Sequence, residues 1–112
     1  HSLSYRQRVY KKMKKNGVSI IACPVAWIDS KRSETRVPFH NSLTPIDELI
    51  PAGVTVALGT DNICDYMVPF CDGDMWMELS LLFTGNRFTD IEEIIKIATI
   101  NGRKVLGLEG ET

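Results

Sequence analysis

The sequence predicts an α/β fold in which two parallel strands with flanking helices form part of a larger α/β barrel. Two short runs rich in β-branched residues, 18–23 and 54–58, are the predicted strands, and a helical segment lies between them. Strands joined through a helix run parallel, with a right-handed crossover. Two parallel strands cannot make a sheet covered on both faces, so we expect residues 1–112 to be a single partial domain.

Composition narrows the class of protein. The chain is 44% hydrophobic and 24% charged, as in ordinary globular proteins, and its net charge of −1 gives no electrostatic case for nucleic acid or a membrane surface. No apolar run approaches the roughly 20 residues that span a bilayer. Three cysteines without a C-x-x-C spacing argue against a disulfide framework or structural zinc, and the first seventeen residues are polar and basic, without the apolar segment expected of a secretory signal. We therefore expect reduced thiols in a cytoplasmic protein.

Residues 4–16 are predicted to form an amphipathic helix that ends at Gly17. Its apolar stripe is Tyr5, Val9 and Met13, at positions i, i+4 and i+8. Six of the thirteen basic residues lie on this helix. A basic helix can bind phosphate or an acidic membrane, but a solvated outer helix is the favoured interpretation.

The first strand, 18–23, is almost continuously apolar, which is typical of a strand buried on both faces. Pro24 is predicted to end it. Residues 25–43 are predicted to be a long loop, and loops of this length are functional or mobile. We assign a surface or packing role to His40 in this loop.

A short helix is predicted over 44–50, with Thr44 as N-cap and Pro45 at the first helical position. The second strand, 54–58, follows it. A polar loop, 59–73, then leads to the helical part of the chain.

Three helices are predicted after this loop. The first covers 74–84, is capped by Asp74 and is broken at 85–86. A capping box at 89–92 starts the second, and a last short helix covers 101–106. The first of them carries a broad apolar face that we expect to be core: Met75, Trp76, Leu79, Leu82 and Phe83.

The second strand leads directly to a carboxylate, Asp61. Open α/β sheets and barrels place catalytic and metal-binding groups at the carboxyl ends of their strands. Asp61 is therefore the main candidate for chemistry, although Asp-Asn is also ordinary turn chemistry. Cys64 and Cys71 flank the same loop, and we interpret both as small buried side chains. Asp72 is interpreted as a helix cap.

Residues 54–75 resemble the amidohydrolase superfamily, in particular the branch of cytosine deaminase and isopropylammelide amidohydrolase. Two outer segments add to the resemblance: 17–24, similar to the seventh barrel strand, and 105–108, similar to the segment after the barrel. The motif residues are Gly53-Val54 through Leu58-Gly59, Asp61-Asn62-Ile63, Asp65, Val68-Pro69-Phe70 and Gly73-Asp74-Met75.

The resemblance implies a distorted (β/α)8 barrel with a divalent metal, zinc or iron, at the carboxyl ends of the strands. Asp61 matches the aspartate that ends the eighth strand, ligates the metal and accepts a proton from water. Asn62 and Asp65 position ligand or substrate, or instead make hydrogen bonds that stabilise the loop. Met67 stands where relatives often carry a tryptophan facing the substrate. Trp27, just past the other strand, is a candidate to line the pocket.

The chain contains no His-x-His pair, which the family uses as metal ligands on its first strand, and its histidines are only His1 and His40. We therefore expect an incomplete, inactive piece of a hydrolase that acts on C–N bonds in small nitrogen heterocycles. Its partners would be a heterocyclic substrate and the missing barrel part. The alternative is a non-catalytic oligomerising or binding module that reuses the end of the barrel and associates with itself through exposed edges. A basic-helix interaction protein is a weaker third hypothesis.

Overall fold

The fold is a two-stranded parallel sheet with helices packed on it, seen in a computed structural model that describes residues 2–29, 43–108 and 110. Ile20 lies opposite Val56, and Ala22 opposite Leu58. His1, His40 and loop residues 30–42 lie outside the described residues. The elements are α1 (Leu3–Lys15), β1 (Ile20–Ala22), α2 (Pro24–Asp29), α3 (Ile46–Leu49), β2 (Val56–Leu58), α4 (Met75–Asn86), α5 (Ile91–Ala98) and α6 (Ile100–Val105).

The main core lies where the helices meet the inner faces of the two strands. A smaller cluster of Ala26, Val68 and Cys71 joins α2 to the loop that precedes α4. The described ranges contain no helix with the length and apolar character needed to cross a membrane. The buried residues of the main core are Tyr10, Ala22, Ile46, Leu49, Val54, Val56, Leu58, Leu82 and Ile97.

The two strands differ in burial, which corrects one prediction. All three residues of β2 are buried, as expected for a strand covered on both faces. In β1 only Ala22 is buried, and Ile21 is 55% exposed. The prediction of burial on both faces is therefore wrong for β1, because no layer of described residues covers the side on which Ile21 lies.

Helix α2 replaces the first part of the predicted loop 25–43. Proline suits the first helical position, since its φ is already helical and its missing N–H has no intrahelical partner there. The Trp27 N–H donates to the Cys23 carbonyl at 3.2 Å, and the Val25 N–H donates to a Glu78 carboxylate oxygen at 2.9 Å. Pro24 therefore starts a helix, where the sequence pattern predicted only the end of a strand.

Two predicted helix starts are shifted. Helix α3 begins at Ile46, with Pro45 in the N-cap position and no side-chain cap. The Thr44 carbonyl, and not its hydroxyl, accepts the Ile46 N–H at 2.8 Å. The predicted capping box of α5 begins at Thr89, but the N-cap is Asp90. The Asp90 carboxylate accepts the N–H of Glu93, three residues further along the chain.

Helix α4 confirms its predicted cap but not its predicted apolar face. Asp74 accepts the Trp76 N–H at 2.8 Å, and the helix continues through residues 85–86 until Arg87 adopts a left-handed conformation. Of the predicted core face, Leu82 is buried and Leu79 is partly buried. Trp76 is 76% exposed, and Met75 and Phe83 are exposed as well, so the core prediction is wrong for these three.

Helix α1 is anchored by a polar cluster at Glu48 in α3. The Arg6 guanidinium donates two hydrogen bonds to this carboxylate, at 2.8 and 2.7 Å, and the Tyr10 hydroxyl donates a third at 2.9 Å. Tyr10 is the buried residue of the helix, whereas Tyr5 of the predicted stripe is exposed. Tyr10 reaches both the core and Glu48, and it therefore determines which face of α1 packs against the rest of the protein.

The Glu48 cluster makes stability depend on pH. The Arg6 and Tyr10 hydrogen bonds lower the pKa of Glu48 from 4.5 to about 2. A carboxyl whose pKa falls on folding stabilises the fold above its unfolded pKa, and this contribution is lost as pH falls from 4.5 toward 2. We expect Glu48→Gln to abolish this part of the acid loss when melting temperatures are measured across that window. Parallel melting curves for the two proteins would contradict the assignment.

Candidate active site

Asp61 lies at the edge of the sheet where both parallel strands end. The Gly59 N–H donates to the Ala22 carbonyl at 2.9 Å, which continues the pairing just past β2. A Cβ atom on Gly59 would lie 2.7 Å from Ile21 Cγ2, so any larger residue here would force the Ile21 side chain to move. Asp61 then adopts φ 61°, a left-handed conformation that aspartate tolerates better than most residues. The turn therefore places the carboxylate at the carboxyl edge of β1 and β2.

A cavity of about 290 Å³ opens beside this carboxylate. Asp61 and Trp27 line the same cavity, so the structure brings together two of the predicted site residues. Trp27 is 44% exposed, which leaves aromatic surface available. Small-molecule sites combine apolar walls with few polar groups in this way. The lining residues are Ile21, Cys23, Pro24, Ala26, Trp27, Leu43, Thr44 and Asp61.

The other predicted site residues organise the loop after β2 and are not among the residues that line the cavity. The Asp65 carboxylate accepts the backbone N–H groups of Met67 at 2.7 Å and Val68 at 2.8 Å, and it also accepts the Asn62 side-chain amide. The bond from Asn62, followed by those from the backbone, lowers the pKa of the Asp65 carboxyl. The geometry thus matches the loop-stabilising alternative for Asn62 and Asp65. Met67 is 52% exposed.

The three thiols occupy different environments. Cys71 is buried, and its sulfur lies 3.2 Å from the Thr60 carbonyl oxygen. Cys64 is exposed, which corrects the prediction of burial, because its backbone N–H and its thiol both bond the Cys71 carbonyl at the loop surface. Cys23 lines the cavity, where burial, with the Asp61 charge second, raises the pKa of its thiol. None of the three forms a disulfide within the part of the chain that the structure describes.

Glu78 is a buried carboxyl that the sequence analysis missed. Its exposure is 0%, and it accepts the Val25 N–H while Cys71 Sγ lies 3.7 Å from its other oxygen. Burial raises the pKa of Glu78, and the charges of Asp61 and Asp72 raise it further. Its signal in the sequence is a charged residue inside an apolar helical stretch, where charge is costly unless it has partners.

The described residues can supply part of a metal site, but not a complete one. A carboxylate oxygen is a ligand that both zinc and iron accept, and Asp61 presents one at the sheet edge. Within the part of the chain that the structure describes, no three His, Cys, Asp or Glu side chains gather as a metal site. Asp61 is therefore one ligand of such a site, and further ligands would have to come from outside the described residues.

Two parallel strands, helices between them and a carboxylate at their carboxyl edge define an α/β segment that presents a polar group where α/β folds place functional residues. The chain belongs to the amidohydrolase family, whose model matches residues 4–112. This match confirms the predicted resemblance to the amidohydrolase superfamily.

Two curated relatives match parts of the chain, and the second of them bears an amidohydrolase name. An uncharacterised protein of Haemophilus influenzae is 59% identical over 51 residues, which cover 46% of this chain and 18% of that protein. The N-isopropylammelide isopropyl amidohydrolase of Pseudomonas sp. is 38% identical over 71 residues, covering 58% of this chain and 17% of that enzyme. The chain thus spans less than a fifth of each of these two relatives.

A solved structure confirms the predicted fold class. The 5-methylcytosine deaminase of Klebsiella pneumoniae, liganded with 5-fluorocytosine, matches with a TM-score of 0.83 at 22% identity. The match covers 97% of this chain and 27% of the deaminase. This chain therefore has the fold of part of a (β/α)8 barrel, with two parallel strands and their flanking helices.

Proposed function

We propose that this chain forms one wall of the active site of a metal-dependent hydrolase that cleaves C–N bonds in small nitrogen heterocycles. The observation that carries the proposal is the position of Asp61, at the carboxyl edge of two parallel strands and on a cavity shared with Trp27. In a chain of the amidohydrolase family, this is where a carboxylate does chemistry.

The chain's own residues supply proton transfer and binding surface. An Asp61 oxygen accepts the proton of the attacking water and delivers it to the leaving nitrogen, so that a C–O bond forms as the C–N bond breaks. Trp27 offers an aromatic face to a planar heterocycle. A divalent cation, zinc or iron, would polarise the water for attack. The loop held by Asn62 and Asp65, with Met67 on it, would border the substrate once the barrel is complete.

The heterocyclic substrate class is supported by the two named relatives, one an isopropylammelide amidohydrolase and the other a deaminase bound to 5-fluorocytosine. Both names describe ring systems with exocyclic or ring nitrogen. The described residues contain two strands, whereas the barrel has eight, so we expect activity only when the remaining strands are present.

The function is tested by assaying the complete barrel that includes this chain with cytosine and with N-isopropylammelide. We expect release of ammonia or amine that a chelator abolishes and that zinc or ferrous iron restores. No turnover of either compound, with or without added metal, would contradict the proposal.

The alternative is a non-catalytic module that associates with itself. The observation that favours it is the exposure of large apolar side chains on the sheet and on α4, among them Ile21 at 55% and Trp76 at 76%. The turnover assay, combined with sedimentation, separates the two functions. The non-catalytic module would form a stable oligomer in sedimentation and would show no turnover in any assembly.

A further inference from the structure

We propose that Glu78 is a positioning residue that holds the Trp27 wall and the Asp61 wall of the cavity at a fixed separation. The importance of this positioning for catalysis rests on the proposed function. The contacts that support it and the experiment that tests it do not depend on that function. Glu78 is not among the residues that line the cavity, so it would act through its neighbours.

One oxygen of the carboxylate fixes the Trp27 wall. Glu78 Oε2 accepts the backbone N–H of Val25 at 2.9 Å, at the start of α2. Helix α2 is only six residues long and carries Trp27. A bond to its first turn therefore sets the direction in which the helix leaves the sheet.

The other oxygen faces the Asp61 wall. Glu78 Oε1 lies 3.7 Å from Cys71 Sγ, and the same sulfur lies 3.2 Å from the carbonyl oxygen of Thr60. Thr60 immediately precedes Asp61 in the chain. The two oxygens of one side chain thus connect the start of α2 with the turn that carries the candidate catalytic carboxylate.

Burial makes this connection rigid. Glu78 is 0% exposed and Cys71 is 1% exposed, so water does not compete for either group. Ala26, Val68 and Cys71 form the small buried cluster around it, with Cys23 and Val25 packed against them. A buried carboxyl is costly without partners, and its two partners connect it to both walls: Val25 belongs to the helix that carries Trp27, and Cys71 Sγ lies 3.2 Å from the carbonyl oxygen of Thr60, next to Asp61.

The test measures the accessibility of Trp27 in the 112-residue chain by acrylamide quenching, in a Trp76→Phe background that leaves one tryptophan. In Glu78→Leu we expect the quenching constant to rise, by at most about twofold because Trp27 is already 44% exposed. Glu78→Gln keeps an acceptor for the Val25 N–H and should stay near the parent value. All measurements are made where circular dichroism shows each variant fully folded.

Ile97→Val is the matched control, because it removes a buried methyl group from the main core, where Ile97 is 1% exposed. It should lower the melting temperature without raising the quenching constant. If Glu78→Leu does not fold, Glu78→Asp replaces it, since the shortened side chain cannot reach Val25 and Cys71 together, and the same rise is expected.

Three results would overturn the proposal: no rise in the folded Leu or Asp variant, an equal rise in Ile97→Val, or an equal rise in Glu78→Gln. The quenching measurement does not depend on enzymatic activity. A rise specific to the Leu or Asp variant, combined with an inactive complete barrel, would therefore reject the proposed function and leave the positioning role standing.

Discussion

Asp61→Asn is expected to remove nearly all turnover of the complete enzyme while leaving its fold intact. Asparagine has almost the same shape as aspartate but cannot accept the proton of the attacking water. Loss of general acid–base catalysis alone lowers kcat/KM by about 10²–10⁴-fold, and loss of a metal ligand adds to this. The left-handed backbone at φ 61° suits asparagine equally well, so the melting temperature should change little.

The matched control is Asp72→Asn in the same loop. Asp72 is an exposed carboxylate that accepts the Asp74 N–H at 3.0 Å and does not line the cavity. It undergoes the same chemical change and should retain close to wild-type kcat/KM. Wild-type turnover in Asp61→Asn, measured beside this control, would remove the catalytic role from Asp61.

The position of Asp61 was predictable because local chemistry decides it. A short β-branched run that ends in a carboxylate specifies a strand end, and the paired strand in the structure ends at the same edge. Trp27 follows the neighbouring strand in the sequence, and in the structure it lines the same cavity as Asp61, whereas its role toward a substrate stays a prediction. The predicted roles of Asp61 in metal binding and proton transfer came from the resemblance to a known family, because strand periodicity alone does not indicate a reaction.

The role of Glu78 was not predictable, because it depends on contacts between distant parts of the chain. Val25 lies 53 residues away, and its N–H becomes a donor to Glu78 only because α2 forms where Pro24 suggested a loop. The dependence on distant contacts also explains why the predicted burial of Trp76 is wrong. Its helical periodicity places it on the apolar face, but no described layer packs against that part of α4, where it is 76% exposed.

Leu82→Ala is expected to cause the largest loss of stability that a single side chain of α4 can produce. Leu82 is 0% exposed and belongs to the main core with Val56 and Leu58 of β2. Truncating a buried leucine costs transfer free energy and leaves a cavity, together about 2–5 kcal/mol. A domain of this size has a free energy of unfolding of only about 5–15 kcal/mol, so the loss is a large share of the total.

Leu106→Ala is the control for this change, because the same atoms are removed from a residue that is 69% exposed. Its effect on the free energy of unfolding should stay within about 0.5 kcal/mol. Urea titrations of both variants measure the comparison, with Leu82→Ala shifting the midpoint to lower urea at an unchanged slope. Equal midpoints would mean that α4 is not packed on β2 through Leu82. Because Leu82 supports the strand that leads to Asp61, such a result would also remove the physical basis for the position of the carboxylate.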